Sequence, residues 1–434
     1  MRLYSSREAP LTVLRALLLL GTLLFLCFAL RTLSLSAYTG SRLFRREELQ
    51  TSLPDYCHSV PNWNGTPEAC WFCEYATFHH EVTRPFPKLH AKVKFLVYSC
   101  EDSGCGGLGD RISGIVSAFF LSVALNRVFL IEYTYPFRLE ETLIPKFISW
   151  HRSINLAKLR SEEISLVDSQ DKVLALEQLE DLELRGVPVI RLRINRFWLG
   201  MLLWSEDADK NSEFKSTIPG SMRRLRQEKC SPFFPGKEPG PQATFAYAFH
   251  ALFDFSRTAR VRAEEILMVD LNTSWIDPYV AIHARVGGSM DTSATTLGWE
   301  DPQRHSIEDL NLFIGCAKEK MVKHNSTSIL LFSDSIALKQ SGILKAEGIK
   351  TAANTKLFHV DRSPINRYKN AAYSGNLDTF SELLILSRAT CIVGSESTFS
   401  GLASSIALPS STCFCIYSSC GDESIDFWNI TEKM

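Results

Sequence analysis

The chain has 434 residues, of which 45% are hydrophobic and 11% aromatic, and its formal net charge is -1. A chain of this length and composition can bury a large core, so an intrinsically disordered protein is excluded. The balanced charge predicts no basic surface of the kind that binds nucleic acid, so no nucleic-acid partner is expected.

The first predicted element is an apolar segment near the N-terminus. Residues 16–30 read ALLLLGTLLFLCFAL, and extending the run back to Leu11 gives the roughly 20 residues that span a bilayer. A cleaved signal peptide and an uncleaved signal anchor are both compatible with this pattern. We favour an anchor, with a cytoplasmic tail and membrane segment in residues 1–31. This predicts a single-pass type II protein of the Golgi or ER membrane, and cleavage would give a secreted form.

Two features of the remaining chain favour a location of this part in the lumen of the Golgi or ER. Glycosylation sequons begin at four asparagines, which are Asn64, Asn272, Asn325 and Asn429. Eleven cysteines follow the apolar segment, and in an oxidising lumen they would form disulfides, with Cys100 and Cys105 as a local bridge. The alternative for Cys70 and Cys73 is half of a zinc site, although the sequence offers no second pair of matching ligands.

A β-loop-α-β unit is predicted between residues 93 and 133. Apolar runs predict strands over residues 93–98 and 128–133, and helical spacing predicts a helix from Asp110 to about Leu125. A glycine-rich loop precedes this helix, with glycines at Gly104, Gly106, Gly107 and Gly109. Such a loop predicts either a tight turn or a backbone that approaches something closely.

The β/α alternation resumes after a Pro- and Gly-rich linker that ends at Pro241. Strands are predicted over residues 279–285, 329–334, 357–360 and 390–394, with helices over 306–323 and 378–388. Ligands of open α/β sheets bind beyond the carboxyl ends of the strands. His283, Arg285, Asp334 and the run 395–400 would all emerge at such ends.

The predicted fold class is therefore α/β, with two Rossmann-like domains that face a cleft in a GT-B type arrangement, behind an N-terminal membrane segment. Residues 32–90 would be a stem with a Cys-rich entry. Residues 91–241 would form the N-terminal domain on the acceptor side, and residues 242–434 the C-terminal domain on the donor side.

Three segments resemble motifs of the fucosyltransferase superfamily that includes α1,2-, α1,6- and protein O-fucosyltransferases. The glycine loop, GCGGLGDRISGIVSAFFLSVALNRVFLI, is most similar to plant xyloglucan α1,2-fucosyltransferases. The stretch VAIHARVGG resembles the HxR motif, and ELLILSRATCIVGSESTFSGLA resembles the late LS…(V/I)G…SS segment. The resemblance implies an inverting, metal-independent transferase with GDP-fucose as donor, a glycan or glycoprotein as acceptor, and no separate cofactor.

The resemblance also implies roles for individual residues. Arg285 would bind the β-phosphate of the donor, and His283 would contact guanine. Glu382 stands where α1,6 enzymes carry an aspartate that contacts guanine, so the role of this longer side chain stays open. Ser397 and Thr398 match a late Ser-Ser pair whose hydroxyls suit phosphate oxygens, and the alternative is that either one caps a helix.

An inverting reaction also needs a base that accepts the proton of the acceptor hydroxyl. Asp291 lies two residues before the place where α1,6 enzymes keep a glutamate. Asp110 is the other candidate, with a helix cap as the alternative. Together with Arg111 and the loop glycines, Asp110 is predicted to face donor or acceptor across the cleft.

Two other classes of protein remain possible from the sequence. Asp207-Ala-Asp209 has the DxD form that holds Mn²⁺ against a diphosphate in metal-dependent glycosyltransferases. A non-catalytic luminal protein that binds a sugar nucleotide or a glycan could keep the same fold, because a fold does not establish activity. A sulfotransferase is disfavoured because no Walker-type loop with a lysine follows an early strand.

Overall fold

The computed structural model describes residues 71–83, 93–101, 103–151, 154–167, 178–179, 181–197, 241–287, 305, 307–355, 369–407 and 413–421. The N-terminal apolar segment, Asp207 and Asp209, Asp291 and the strand predicted over 357–360 lie outside these residues. Within the described ranges, no helix has both the length and the apolar character needed to cross a membrane.

The N-terminal half builds a parallel four-stranded sheet with the strand order β2-β1-β5-β4. Its strands are β1 (Phe95–Ser99), β2 (Val128–Glu132), β4 (Ser161–Ser165) and β5 (Val189–Arg193). Helix α1 (Trp71–Thr83) packs beside this sheet, where the hydroxyl of Tyr75 donates to the carbonyl of Arg127 over 2.9 Å. The predicted β-loop-α-β unit and its parallel pairing are confirmed.

Helix α2 (Leu108–Ala124) connects β1 to β2 and is buried at 15 of its 17 positions. It therefore lies inside the molecule and not on its surface. The helix begins at Leu108, before the predicted Asp110, because the Asp110 carboxylate accepts the backbone amide of Gly107 over 3.0 Å. Asp110 is thus the third residue of the first turn, where its negative charge also favours the helix dipole.

The C-terminal half builds a parallel five-stranded sheet with the strand order β11-β10-β7-β8-β9. Its strands are β7 (Tyr279–Ala284), β8 (Ser328–Ser333), β9 (Lys350–Thr351), β10 (Cys391–Gly394) and β11 (Cys413–Ile416). Numbered in chain order within this sheet, the spatial order is 3-2-1-4-5, which is the order of a doubly wound Rossmann sheet. The mixed α/β class is confirmed, and the GT-B pairing of two domains stays a prediction.

The described residues from Pro241 onward also form seven α-helices. They are α3 (Pro241–Leu252), α4 (Arg257–Glu265), α5 (Ile307–Lys323), α6 (Ile336–Lys339), α7 (Gly342–Ala346), α8 (Lys369–Leu386) and α9 (Thr398–Ala407). A π-helical segment, Ile266–Asp270, follows α4 directly. A short antiparallel pair, β3 (Leu143–Pro145) with β6 (Phe253–Phe255), lies outside both large sheets.

Two further predicted boundaries differ from the structure. Pro241 is the first residue of α3, although the sequence predicted it as the end of a linker. Proline is tolerated at the first helical position because the backbone amide that it lacks would have no partner within the helix there. Helix α8 begins at Lys369, nine residues before the predicted Asp378. Its first turns, KNAAYSGN, are mostly polar or small, so they carry no apolar periodicity.

Three disulfides link cysteines of the described residues. Cys100–Cys105 is the local bridge expected from the sequence, and it closes the loop between β1 and α2. Cys391–Cys413 joins the neighbouring strands β10 and β11, and Cys316–Cys420 joins α5 to the segment after β11. Cys70 and the side chain of Cys73 lie outside the described parts, so the zinc alternative stays untested.

Candidate functional site

The site lies where the strand order of the five-stranded sheet reverses, at the carboxyl ends of β7 and β10. These two strands are neighbours, so the residues that follow them meet. The amide of Ser395 donates to the carbonyl of His283 over 3.0 Å, and the Ser395 hydroxyl accepts the amide of Arg285 over 3.1 Å. Such a reversal opens the crevice in which doubly wound sheets bind ligands.

The imidazole of His283 is enclosed at this point, with only 7% of the residue exposed. Its Nδ1 lies 2.6 Å from the hydroxyl oxygen of Ser400, and its ring centroid lies 5.0 Å from that of Phe399. Burial lowers the pKa of His283 to about 4, although the nearby Asp334 carboxylate opposes this shift. The ring is therefore neutral at physiological pH and offers hydrogen bonds without charge.

The loop after Arg285 is shaped by Asp334, which follows β8. The Asp334 carboxylate accepts the backbone amides of Val286 and Gly287 over 2.8 and 3.2 Å. Gly287 has a φ of 66°, a conformation that glycine adopts without steric cost. Asp334 thus lies beside the HxR motif, as the sequence predicts, and its hydrogen bonds hold the loop that leads away from Arg285.

The glycine loop reaches the same place from the other half of the chain. Gly109 packs directly against the start of α9: a Cβ atom there would lie 2.7 Å from both the carbonyl carbon and Oγ1 of Thr398. No side chain fits into that distance, so glycine is required by this contact. Gly109 therefore approaches protein backbone, and the predicted approach of the loop to donor or acceptor stays a prediction. The contact brings the first and third motifs together.

Arg111 is fully buried beneath the loop and holds it in shape. Its Nε donates to the carbonyl of Gly106 over 3.0 Å, and Nη1 donates to the carbonyl of Tyr135 over 3.3 Å. Gly106 has a φ of 72°, so its carbonyl direction depends on a left-handed turn. Arg111 and Asp110 are thus both engaged by the loop itself, which favours the helix-cap interpretation of Asp110.

Ser397 and Thr398 form the start of α9, as the alternative from the sequence anticipated. The Ser397 hydroxyl accepts the amide of Ser400 over 3.4 Å and so caps the helix. Thr398 is the first helical residue. The first amides of a helix lack intrahelical partners and favour an anion, so this end of α9 adds positive potential beside Arg285.

Comparison with known proteins gives matches among solved structures. A mutant of Arabidopsis thaliana FUT1 in complex with GDP has a TM-score of 0.49 and 15% identity, covering 77% of this chain and 76% of its own. NodZ α1,6-fucosyltransferase soaked with GDP-fucose has a TM-score of 0.41 and 12% identity, covering 73% and 93%. POFUT1 in complex with GDP has a TM-score of 0.41 and 13% identity, covering 75% and 98%.

These three structures are fucosyltransferases. No protein family matches the chain in a family scan, and no curated protein matches it by sequence.

Glu382 of α8 is held in a buried cluster with Lys339 of α6 and Thr355. Glu382 and Lys339 each have 1% of their side chain exposed, and the Lys339 ammonium lies 3.2 Å from Oε1 of Glu382. The hydroxyl of Thr355 donates to the same oxygen over 2.6 Å. Burial raises the pKa of Glu382, and the ammonium and hydroxyl oppose that shift. The carboxylate is therefore engaged by protein groups, and its predicted contact with guanine stays a prediction.

Sequence reasoning missed two residues that shape this region, Lys339 and Thr355. It placed Phe399 and Ser400 at the site as part of the run 395–400, but it gave neither of them a role. Lys339 and Thr355 carried no comparable signal, since their partner Glu382 is distant in the chain. Asp291, the proposed base, lies outside the described residues.

Proposed function

We propose that this protein is an inverting glycosyltransferase that moves fucose from GDP-fucose to a glycan or glycoprotein acceptor. The proposal depends above all on the meeting of three sequence motifs at one place. Gly109 of the glycine loop contacts Thr398, and the backbone at residues 283–285 bonds to Ser395. All three motifs resemble those of one superfamily, and their assembly around a Rossmann switch point supports a common ligand.

The charges around this point favour a diphosphate. Arg285 follows β7 directly, and its guanidinium can donate two parallel hydrogen bonds to phosphate oxygens. The N-terminus of α9 lies beside it and favours negative charge. As the bond between fucose and GDP breaks, charge builds on the departing diphosphate. Groups that bind this charge more strongly in the transition state lower the barrier.

We propose that this positive charge replaces a metal ion, so that transfer proceeds without Mn²⁺. The proton of the acceptor hydroxyl needs a separate base, and Asp291 is our candidate from the sequence. Asp110 is engaged by the amide of Gly107. His283 is a weak base, because burial lowers its pKa to about 4.

We propose a location in the Golgi or ER membrane, with residues 1–31 as tail and anchor and the catalytic body in the lumen. The three disulfides support an oxidising compartment, since thiols in the cytosol are kept reduced. The acceptor would bind on the side of the N-terminal half, with the donor on the side of residues 242–434.

The test is a donor screen on the full chain, purified from a eukaryotic secretory host. We expect GDP, and not UDP, CMP or ADP, to raise the melting temperature. A nucleotide at about 100 times its Kd stabilises the folded state by about 2.7 kcal/mol. We also expect hydrolysis of GDP-fucose with EDTA present.

Three outcomes would contradict the proposal. Activity that is lost on chelation, restored by Mn²⁺ and abolished by Asp209→Ala would place the protein among DxD transferases. GDP binding without turnover of any GDP-sugar would indicate a binding protein. A chain stabilised by none of these nucleotides would have no GDP site.

A further inference from the structure

Three asparagines of the described residues adopt the left-handed conformation, and each lies in a connection that precedes a strand. Asn126, Asn272 and Asn325 have φ angles of 50°, 43° and 50°, and all three are exposed. Asparagine tolerates this conformation better than most residues. The three asparagines therefore share a left-handed φ. Two of them, at Asn272 and Asn325, begin the sequence Asn-x-Ser/Thr, and Asn126 does not.

The turn at Asn272 is held on both sides, so its side chain stays at the surface. The carbonyl of Asn272 accepts the ammonium of Lys350 over 2.9 Å, and the next amide, of Thr273, donates to Leu267 over 2.9 Å. Ser274, the hydroxyl residue of the sequon, bonds through its hydroxyl to Asp277 over 2.8 Å.

The turn at Asn325 is attached to the loop that follows Asn272. Thr327, the hydroxyl residue of the second sequon, donates its amide and its hydroxyl to the carbonyl of Pro278 over 2.8 and 2.9 Å. The two turns enter β8 and β7, which are neighbouring parallel strands. Both asparagines therefore lie at the amino edge of the five-stranded sheet.

This edge is opposite the candidate site. Strand β7 has six residues, Tyr279–Ala284, and spans about 20 Å at about 3.3 Å per residue. The amino end of β7 follows the turn at Asn272, and Arg285 follows its carboxyl end. A bulky group on Asn272 or Asn325 would leave the carboxyl edge open to donor and acceptor.

We propose that Asn272 and Asn325 are both N-glycosylated, and that the two glycans cover the amino edge of this sheet. The amide nitrogen of each asparagine bonds to the reducing-end sugar carbon of an oligosaccharide carried on a lipid diphosphate. The bond from sugar to phosphate breaks, the lipid diphosphate leaves, and the amide loses one proton to a base of the transferring enzyme. The proposal is independent of the fucosyltransferase assignment.

The test is site-resolved mass spectrometry on the full chain from a eukaryotic secretory host. Peptide N-glycosidase in ¹⁸O-water converts each glycan-bearing asparagine to aspartate with a heavy oxygen. We expect the label at Asn272 and Asn325 and none at Asn126, which shares the geometry and lacks the sequon. On gels, Asn272→Gln and Asn325→Gln should each remove one glycan step, and Asn126→Gln should remove none.

An unlabelled Asn272 or Asn325 overturns the assignment for that residue, whatever happens at Asn64 and Asn429. Label at neither residue overturns the proposal as a whole. Because the readout is mass, this result does not depend on whether the protein transfers fucose. If both are labelled, Asn272→Gln and Asn325→Gln should retain the GDP-induced shift in melting temperature, since both residues lie at the far edge of the sheet.

Discussion

The Nδ1 atom of His283 lies 2.6 Å from the hydroxyl oxygen of Ser400, and both side chains are buried. This bond joins the end of β7 to the first turn of α9, so it fixes the imidazole against the helix that begins the third motif. Because Nδ1 is engaged by Ser400, Nε2 is the ring nitrogen that can contact a ligand.

His283 should make stability depend on pH in a defined window. The unfolded chain protonates this histidine near its ordinary pKa of 6.5, and burial lowers the pKa of His283 in the folded state to about 4. Its contribution to stability is therefore complete above pH 6.5 and is lost as the pH falls toward 4. The loss is about 1.4 kcal/mol for each pH unit.

Urea unfolding of wild type and His283→Gln over this pH range measures the effect. The variant should lack this part of the pH dependence, so the two curves of unfolding free energy converge toward acid. Parallel curves over the whole range would mean that the folded histidine titrates normally. Ser400→Ala should keep the pH dependence that comes from burial and weaken binding of GDP.

Arg285 should be required for turnover more than for folding. We expect Arg285→Ala to lower turnover of GDP-fucose about 10²–10³-fold, or about 3–4 kcal/mol, as the loss of one transition-state donor does. Arg285→Lys should recover little, because an ammonium cannot reproduce the paired hydrogen bonds of a guanidinium.

The control for Arg285 is Arg257→Ala, which changes an exposed arginine at the start of α4. Its rate should match that of wild type. The measurements are rate, GDP affinity and melting temperature for each variant. A folded Arg285→Ala protein with wild-type turnover contradicts a role of Arg285 in binding GDP-fucose. An Arg285→Ala variant that fails to fold indicates that Arg285 forms a structural salt bridge.

Gly109→Ala should destabilise the protein, because its Cβ would meet the backbone of Thr398 and Phe399 at 2.7 and 2.9 Å. Overpacking of this kind typically costs about 1–3 kcal/mol. The matched control is Gly315→Ala in α5, where an added Cβ meets nothing within 4 Å. That change should stabilise the helix by about 0.5–1 kcal/mol. Opposite shifts in urea midpoint are expected, and equal shifts would place Gly109 away from α9.

The buried pair of Lys339 and Glu382 should behave as a unit in folding. Lys339→Met leaves a buried carboxylate without its ammonium and should cost about 3–5 kcal/mol. The double change Lys339→Met with Glu382→Leu should cost less than that single change. Once the Glu382 carboxylate is gone, the hydroxyl of Thr355 can donate to the carbonyl of Ala352, 2.8 Å away.

Urea unfolding of both single variants and the double variant gives the coupling free energy of the pair. Additive losses would show that the two side chains act separately. The GDP affinity of the double variant would also test the predicted contact of Glu382 with guanine.

The sequence predicted best those elements that carry a strong local signal. Strands β1, β2, β7, β8 and β10 are continuous apolar runs, and each lies within two residues of its predicted bounds. The positions of Arg285 and Asp334 followed from the same signal, because polar residues after a buried strand lie at the carboxyl edge.

Features that depend on distant partners could not be predicted. The pairing of β3 with β6 joins segments that are separated by the whole of β4 and β5. Arg111 was expected to face donor or acceptor, yet it is fully buried and donates to the carbonyls of Gly106 and Tyr135. The contact between Gly109 and Thr398 likewise leaves no signal in the local sequence, because the two residues are far apart in the chain. The glycines alone therefore suggested that the loop approaches a ligand.

The packing of α2 against α9 has a consequence for how the chain is made. During synthesis α2 leaves the ribosome long before residues 398–407, so its first turn lacks its partner until most of the chain has emerged. Contacts of such long sequence separation slow folding, and apolar surface that stays exposed until its partner is synthesised is prone to aggregation. We therefore expect C-terminal truncations that remove α9 to accumulate bound to chaperones, even though the whole first sheet precedes the truncation.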